Sequence, residues 1–243
     1  MTDYLIFFGL GLLTFSLSTL TAGGGAMMQI PIVTFIIGAE GTAPVINLGA
    51  LIGRPTRLIL FWNSIDWSVT KFYVLAAIPT TLIAAYFFKA ADISFLKILI
   101  GFFLVSTIFQ FRFGKKARSF TVRKWHFLLL GVAVPFISTL VGGMGPILNP
   151  FYLNYGLEKE ALIATKTANS FLVGLIQIGS YSFFGLLHGD LWFYGLSLGL
   201  GAAAGNYIGK KLLARMKNSA FRIWVVVFMV ISGLLMIGEV TFQ

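Results

Sequence analysis

Charged and polar side chains lie inside long apolar stretches of this 243-residue chain, where they could bind a ligand. Arg54 and Arg57 are three residues apart, so they share one face of a helix, and no Asp or Glu lies within four residues of either. Asn47, Lys166 and Asn169 have similar apolar surroundings. Because such groups are costly to bury, lining a wet cavity or a substrate path is a common reason for their presence.

More than one interpretation is open for these cations. Arg57 is expected to extend its guanidinium to the membrane surface, since its apolar run ends close by at Trp62. Arg54 lies about 12 Å below that end by helix rise, which suits substrate binding as well as surface extension. Lys166, beside Thr167 in the first turns of its run, is either an interfacial lysine or a substrate-binding cation.

Two glycine clusters, at residues 22–26 and 142–146, are the next candidates for chemistry, and each precedes a short apolar run with a proline. A glycine triplet breaks a helix and frees N–H and C=O groups, which a membrane tolerates only where the break is buried in protein or lines a wet cavity. A helix that begins after the break points free N–H groups into the cavity, so Gly25 and Gly145 are candidates for holding an anion. The alternative is that the glycines only allow close helix packing.

An amide stands shortly before the proline of each short run: Gln29 before Pro31 and Asn149 before Pro150. The two side chains could donate hydrogen bonds to substrate oxygens. They could equally satisfy backbone groups that the prolines leave free. Both interpretations stay open for both amides.

The composition decides the class of protein. Hydrophobic residues make up 58% of the chain and charged residues 11%, and the mean hydropathy is +0.90. A soluble domain carries about a quarter charged residues, so this chain lacks the charge to cover a water-facing surface. It is predicted to be an integral protein of the lipid bilayer, which excludes soluble enzymes, nucleic-acid-binding domains and disordered proteins.

Runs of about 20 apolar residues are long enough to span a bilayer as helices. Eight runs are candidates, at residues 4–22, 43–62, 72–88, 95–111, 125–141, 161–187, 191–208 and 223–237. Two shorter runs, at 27–37 and 147–155, follow the glycine clusters and are interpreted as half-helices or re-entrant segments. The predicted fold is an all-α, polytopic membrane protein with about eight long transmembrane helices and two short broken segments.

The chain carries an internal duplication. Ser18-Thr19-Leu20 recurs as Ser138-Thr139-Leu140, and matched positions along the chain are 119 to 125 residues apart. The predicted organisation is a first membrane repeat at 1–111, a basic linker at 112–124 and a second membrane repeat at 125–243. Internal repeats of this kind are frequent in secondary transporters.

The basic residues set the expected orientation. The linker 112–124 holds six Lys or Arg residues, and a second cluster of five follows at 210–222. Both clusters are expected in the cytoplasm. The weakly charged link after residue 88 then lies outside. The two repeats are therefore predicted to be inverted, with an odd number of crossings in each and the C-terminus outside the cytoplasm.

The acidic residues argue for an anionic ligand. All eight lie at run ends or in links, so no buried carboxylate is predicted that could bind Na⁺ or relay a proton. A cavity with cations, amides and helix N-termini suits an anion. The chain has no cysteine, and it lacks Walker and HExxH motifs. We therefore expect no catalytic residue, no metal site and no cofactor.

These motifs resemble the sulfite exporter TauE/SafE family of bacterial membrane permeases. The resemblance covers nearly the whole chain and rests on three features. They are the duplicated glycine stretch with a following proline, the links at Asp66-Trp67 and Asp190-Leu191-Trp192, and the Gly-rich helix from Gly199 that ends in Lys210-Lys211. The resemblance implies transport of sulfite, sulfonates or other organosulfur anions across the bacterial cytoplasmic membrane.

The leading hypothesis is a secondary transporter for small sulfur-containing anions that bind between the repeats. Backbone N–H groups would hold the oxyanion, amides and hydroxyls would orient it, and Arg54 or Lys166 would balance its charge. The alternative is a non-transporting membrane subunit that anchors or regulates a partner complex, and a homo-oligomer is compatible with both. The predicted substrate-binding residues are Gly25, Gln29, Asn47, Arg54, Gly145, Asn149, Lys166, Thr167 and Asn169.

Overall fold

The computed structural model of the chain describes residues 2–23, 25–87, 105, 120–141, 145–157 and 159–241. Within these ranges the backbone is helical with short connections, and it contains no β-strand. The all-α class predicted from the apolar runs is confirmed. The predicted run 95–111, apart from residue 105, and linker residues 112–119 lie outside the described residues.

Eight α-helices and two short 3₁₀ segments follow one another along the described part of the chain. The α-helices are α1 (Thr2–Leu20), α2 (Gly25–Phe61), α3 (Trp67–Phe87), α4 (His126–Val141), α5 (Asn149–Tyr155), α6 (Lys159–Phe183), α7 (Leu191–Ala214) and α8 (Asn218–Thr241). The 3₁₀ segment Trp62–Ser64 follows α2 directly, and Gly145–Leu148 directly precedes α5.

Two helix ends differ from the predicted runs for identifiable reasons. Helix α6 stops at Phe183 rather than at 187, because Gly185 adopts a left-handed φ of 68° and Leu186 N–H turns back to the carbonyl of Tyr181. Helix α7 continues to Ala214, past the predicted end at 208. Its first basic residue there, Lys210, donates from Nζ to the carbonyl of Leu60 at 2.9 Å and therefore packs on α2 instead of ending the helix.

Three of the described helices are long and apolar enough to cross a membrane: Asp3–Leu20, Trp67–Phe87 and Lys159–Phe183. Shorter apolar helices occur at Met28–Gly38, His126–Thr139 and Asn218–Val227. These helices agree with an integral membrane protein. The number of eight spans stays a prediction.

The helix is interrupted at the first glycine cluster, as predicted. Helix α1 ends at Leu20, and Ala22 and Gly23 adopt positive φ angles of 52° and 117° before α2 begins at Gly25. Thr21 stabilises the turn, since its Oγ1 donates to the carbonyl of Gly23 at 2.7 Å. In the second half, α4 ends at residue 141 and a 3₁₀ segment begins at residue 145. Residues 142–144 lie outside the described residues.

Each short helical segment ends at a second glycine that the sequence reasoning did not identify. Gly38 has φ 81° and interrupts α2, and Gly156 has φ 111° and caps α5. The helix restarts directly after Gly38, so residues 39–42 are helical instead of forming the link predicted between runs 27–37 and 43–62. Glycine suits both places because side-chain-bearing residues rarely adopt these angles.

Helix packing is reciprocal between the two halves. Helix α1 packs on α7, as α4 packs on α3, and α2 packs on α7, as α6 packs on α3. Helices α2 and α6 pack on each other. Two glycines repeat the pattern in detail: Gly11 lies against the carbonyl of Leu198, and Gly131 lies against the carbonyl of Tyr73.

Contacts between helix ends show which ends lie at the same end of the helix bundle. At one end of the bundle, Lys210 contacts Leu60, and Asp66 N–H donates to Thr165 Oγ1 at 2.8 Å. At the other end, Ser197 Oγ donates to the carbonyl of Tyr4 at 2.5 Å. The ends of α2 and α7 therefore lie together, and so do the beginnings of α1 and α7.

The largest buried apolar cluster surrounds the short helix α5. Tyr152 is fully buried and stacks on Phe127 of α4, with 5.3 Å between the ring centroids. Leu162 and Ala164 of α6 belong to the same cluster. Dense packing of this kind holds helices together in a bilayer, and it fixes the start of α5 beside the cavity described next.

Candidate functional site

A cavity of about 110 Å³ lies between helices of the two halves, and residues of α1, α2, α3, α4 and α6 line it. A buried water needs roughly 10–15 Å³ of such space, so the cavity has room for several waters or one small ligand. Backbone from the first glycine break, Ala22 and Gly23, forms part of the wall. The polar side chains that line it, among the described residues, are Ser18, Asn47, Arg54, Arg57, Tyr73, Ser138, Lys166, Thr167, Ser170 and Gln177.

Arg54 crosses from α2 to α6 along the cavity. Its Nη1 donates a hydrogen bond to the carbonyl of Ser170 at 2.7 Å. Gly174, one turn further along α6, leaves room for the guanidinium, because a Cβ at this position would overlap Nη1. Arg54 therefore lines the cavity. Of its two interpretations, extension to the membrane surface does not apply.

Arg57 is buried, with 9% of its surface exposed, so the expectation that it extends to the membrane surface is wrong. Its Nε and Nη2 donate to Asn206 Oδ1 at 3.0 and 2.6 Å, and Nη2 also donates to Thr19 Oγ1 at 2.9 Å. The guanidinium carbon lies 5.6 Å from the ring centroid of Phe15. Acceptors on α1 and α7 therefore hold the side chain inside the protein.

Lys166 connects the two break regions. Its Nζ donates to the carbonyl of Ala22, in the first break, and to Asn149 Oδ1 at 2.7 Å, at the start of α5. Only 7% of the residue is exposed, so the interpretation as an interfacial lysine is wrong. One amine of the second half thus binds backbone of the first half beside the cavity.

The structure brings four of the nine predicted residues together in the cavity wall. Besides Arg54 and Lys166, these are Asn47 and Thr167. Asn47 Nδ2 donates to the hydroxyl of Tyr181 at 3.2 Å, and Thr167 Oγ1 donates to the carbonyl of Ile163 at 2.7 Å. Both side chains are buried, so their positions are fixed before a ligand enters.

Four other predicted residues lie outside the described cavity wall. Gly25 packs against α1, where a Cβ would lie 2.6 Å from the carbonyl oxygen of Thr14, as the close-packing alternative requires. Gln29 Nε2 donates to Thr14 Oγ1 at 2.6 Å, and Asn169 Nδ2 donates to Tyr152 OH at 2.7 Å. Asn149 contacts the cavity only through Lys166. The ninth, residue 145, begins the 3₁₀ segment that precedes α5.

These amides retain unused hydrogen-bonding capacity. Gln29 Oε1, Asn149 Nδ2 and Asn169 Oδ1 are buried and have no hydrogen-bond partner among the described residues. Buried polar atoms are nearly always paired with protein or with ordered water. The three atoms are therefore places where water or a ligand group is expected, and the role of these amides in binding stays a prediction.

Sequence reasoning missed two cavity residues that the repeat register could have indicated. Arg57 and Gln177 are 120 residues apart, as are Thr19 and Thr139. Arg57 donates to Thr19, and Gln177 Nε2 donates to Thr139 Oγ1 at 3.1 Å. The two pairs are equivalent in the two halves, so aligning the halves around Thr19 and Thr139 points to both residues.

The charge of the lining favours an anion. Arg54, Arg57 and Lys166 line the cavity, and no Asp or Glu is among the lining residues that the structure describes. No group of three or more His, Cys, Asp or Glu residues in the described ranges could hold a metal ion. A low-dielectric pocket of one charge sign attracts ligands of the opposite sign.

Comparison with known protein families shows the relationship. The family model of the sulfite exporter TauE/SafE matches residues 7–236. The chain belongs to the sulfite exporter TauE/SafE family. The resemblance based on the glycine and Asp-Trp motifs is confirmed. Comparisons with curated proteins and with solved structures give no match.

As a TauE/SafE member, the chain is an integral membrane protein of a transporter family, which agrees with the expectation that it is not an enzyme. The TauE/SafE match extends across both glycine clusters and all three cavity cations. The cavity therefore lies within the part of the chain that carries the family relationship.

Proposed function

We propose that this TauE/SafE protein is a secondary transporter that moves small sulfur-containing oxyanions, such as sulfite or sulfonates, and that the cavity is its substrate site. The observation that carries the proposal is the lining by two guanidinium groups and one amine, without a carboxylate among the described residues. A charged group inside a membrane protein commonly marks a substrate pathway. The sulfur chemistry of the substrate comes from the family.

The cavity residues have different roles in substrate binding. Arg54 lies at the contact of α2 with α6, so its guanidinium meets a ligand held between the halves. Ser170 offers a hydroxyl group on the α6 side of the cavity, where Thr167 also lies. Lys166 holds backbone of the first break next to the site. These groups together match an anion with several oxygen atoms.

We further propose that the two halves are inverted repeats. The reciprocal packing of α1 on α7 and of α4 on α3 is what a two-fold axis between the halves would produce. Helices α2 and α6 are equivalent in the two halves, so the proposed axis would pass through the contact between them. Rocking of one half against the other around the cavity would then expose the substrate alternately to the two sides.

The orientation proposed for the membrane follows from charge. Lys210 and the end of α2 lie together, so the basic cluster that begins at Lys210 and the link after Phe61 belong to one side. We place that side, together with the linker 112–124, in the cytoplasm of a bacterial cell. The link between α6 and α7 then lies on the outer side.

Flux of radiolabelled sulfite in proteoliposomes tests the proposed function. Proteoliposomes with the wild-type protein are expected to release their loaded sulfite faster than sulfite-loaded liposomes without protein do. Arg54→Gln removes a charged donor from the cavity and is expected to lower the flux about tenfold, because a hydrogen bond to a charged group contributes roughly 1.5–3 kcal/mol.

The exposed Lys211 provides the matched control, since Lys211→Gln makes the same change in charge outside the cavity. This variant is expected to transport at the wild-type rate. Wild-type flux in Arg54→Gln would remove the cavity from the mechanism. Absence of flux in the wild-type protein would favour the non-transporting membrane subunit.

A further inference from the structure

We infer that the cavity selects doubly charged oxyanions over singly charged oxyanions of the same shape. The inference rests on the proposed function, because it assigns a charge to the substrate of the same site. It depends on the balance of charges around the cavity and on the neutral character of the groups that bind its cations.

Two guanidinium groups line one small cavity. Arg54 and Arg57 are on the same face of α2, one turn apart, and both side chains reach the cavity. Guanidinium groups remain protonated throughout the physiological pH range. No carboxylate among the described lining residues compensates them, so the pocket carries at least two positive charges before the amine of Lys166 is counted.

The hydrogen-bond partners of both arginines are neutral. Arg54 binds the carbonyl of Ser170, and Arg57 binds the side-chain oxygens of Asn206 and Thr19. These dipoles satisfy donors, but they leave the net charge of the cavity unchanged. A ligand with two negative charges can balance both guanidinium groups, whereas a ligand with one negative charge leaves more of the buried positive charge uncompensated.

Arg54 also has free donors for such a ligand. Among the described residues, only its Nη1 has a hydrogen-bond acceptor. Its Nε and Nη2 remain, and guanidinium nitrogens bind two oxygens of one oxyanion in parallel. The space of about 110 Å³ has room for a compact oxyanion. Arg54 is thus positioned to bind the ligand, and Arg57 adds charge from a fixed position.

Sulfate and methanesulfonate test the inference, because both are tetrahedral sulfur oxyanions and differ by one charge. Isothermal titration calorimetry of the purified full chain in detergent, at constant ionic strength, gives their dissociation constants. We expect sulfate to bind at least about tenfold more tightly, since one more unit charge near two cations adds Coulomb attraction even at a high effective dielectric constant.

Variants of Arg54 connect the preference to the cavity. Arg54→Gln removes one charge and is expected to weaken sulfate binding more than methanesulfonate binding, so that the ratio of the two dissociation constants falls several-fold. Arg54→Lys keeps the charge and is expected to retain most of the ratio. Lys211→Gln changes a charge outside the cavity and is expected to leave the ratio unchanged.

The possible outcomes separate the inference from the proposed function. Equal affinities, or tighter binding of methanesulfonate, would overturn charge selection while anion transport stands. A sulfate preference that Arg54→Gln leaves intact would also overturn it, since the preference would then arise elsewhere. If neither ion binds and sulfite flux is absent, the proposed function fails together with the inference. Where a variant does not fold, the two dissociation constants of the wild-type protein still test the preference for the doubly charged ion.

Discussion

Each of the three cavity cations binds neutral groups that are far away in sequence. Arg54 binds backbone at residue 170, Arg57 binds Asn206, and Lys166 binds backbone at residue 22. The residue types were visible in the sequence, and so was the absence of nearby acids. The partners were not, because a hydrogen bond over more than 100 residues of chain exists only once the helices are packed.

The position of Arg54 depends on a glycine across the cavity, which gives a test at the level of a single atom. Gly174→Ala adds a Cβ where Nη1 of Arg54 lies and is expected to displace the guanidinium. Sulfite flux in proteoliposomes is expected to fall about tenfold, the equivalent of one lost hydrogen bond to a charged group.

Gly179→Ala is the control for this substitution. Gly179 is on the same helix, and a Cβ there would meet no atom within 4 Å. Its flux is expected to equal that of the wild type. If Gly174→Ala transports equally well, then the observed position of Arg54 is not needed for transport.

At the scale of elements, α7 is a helix whose glycines let α1 approach closely. Gly201 lies against the carbonyl of Phe8, Gly205 against that of Leu12, and Gly209 against the backbone of Ser16. Small residues at such contacts allow helices to approach within a bilayer. This packing places Asn206 and Thr19 side by side at Nη2 of Arg57, so the interface of α1 with α7 also holds a cation of the cavity wall.

Substitution of one of these glycines tests the helix interface. Gly205→Ala would bring its Cβ into the backbone of Leu12, and overpacking of this kind costs about 1–3 kcal/mol. The midpoint of thermal unfolding in detergent is expected to fall by roughly 2–4 °C for each kcal/mol.

Gly9 on α1 offers a comparison, because a Cβ at this position meets no atom within 4 Å. Gly9→Ala is expected to leave the midpoint unchanged or raise it slightly, since alanine favours helix more than glycine does. Equal loss in both variants would mean that the loss does not come from the close contact of Gly205 with the backbone of Leu12.

At the scale of the whole molecule, two observations support the proposed inverted orientation of the two halves. They are the reciprocal helix packing and the positions of the helix ends. The ends of α2 and α7 meet on one side, and the beginnings of α1 and α7 meet on the other. The inverted orientation proposed from the basic clusters requires this sorting, because it places 62–66 and 210–217 on one side of the membrane and 184–190 on the opposite side.

Labelling of single cysteines tests the orientation, since the chain has no native cysteine. Lys124→Cys, Lys211→Cys and Asp190→Cys introduce one thiol each at exposed positions. A membrane-impermeant maleimide added to intact bacterial cells is expected to label Asp190→Cys alone. Inside-out vesicles are expected to show labelling of Lys124→Cys and Lys211→Cys. Labelling of all three positions from the same side would rule out the inverted repeat.

The sequence by itself determined the membrane character, the helical class and the break at the first glycine cluster, and it predicted an anionic ligand. These properties depend on local composition: apolar runs need lipid, consecutive glycines interrupt helices, and acids confined to run ends predict a cavity without a carboxylate. The family relationship was also visible in the sequence, because its motifs are short and contiguous.

Only the tertiary structure decided which cations face the cavity. Arg57 lies near the end of its apolar run, so the sequence favoured the membrane surface, yet Asn206 on α7 holds it inside. Likewise, Gln29 and Asn169 were equal candidates with Asn47, and packing put only Asn47 in the described cavity wall. Burial and hydrogen-bond partners are properties of helix contacts, and the spacing of residues along one helix does not contain them.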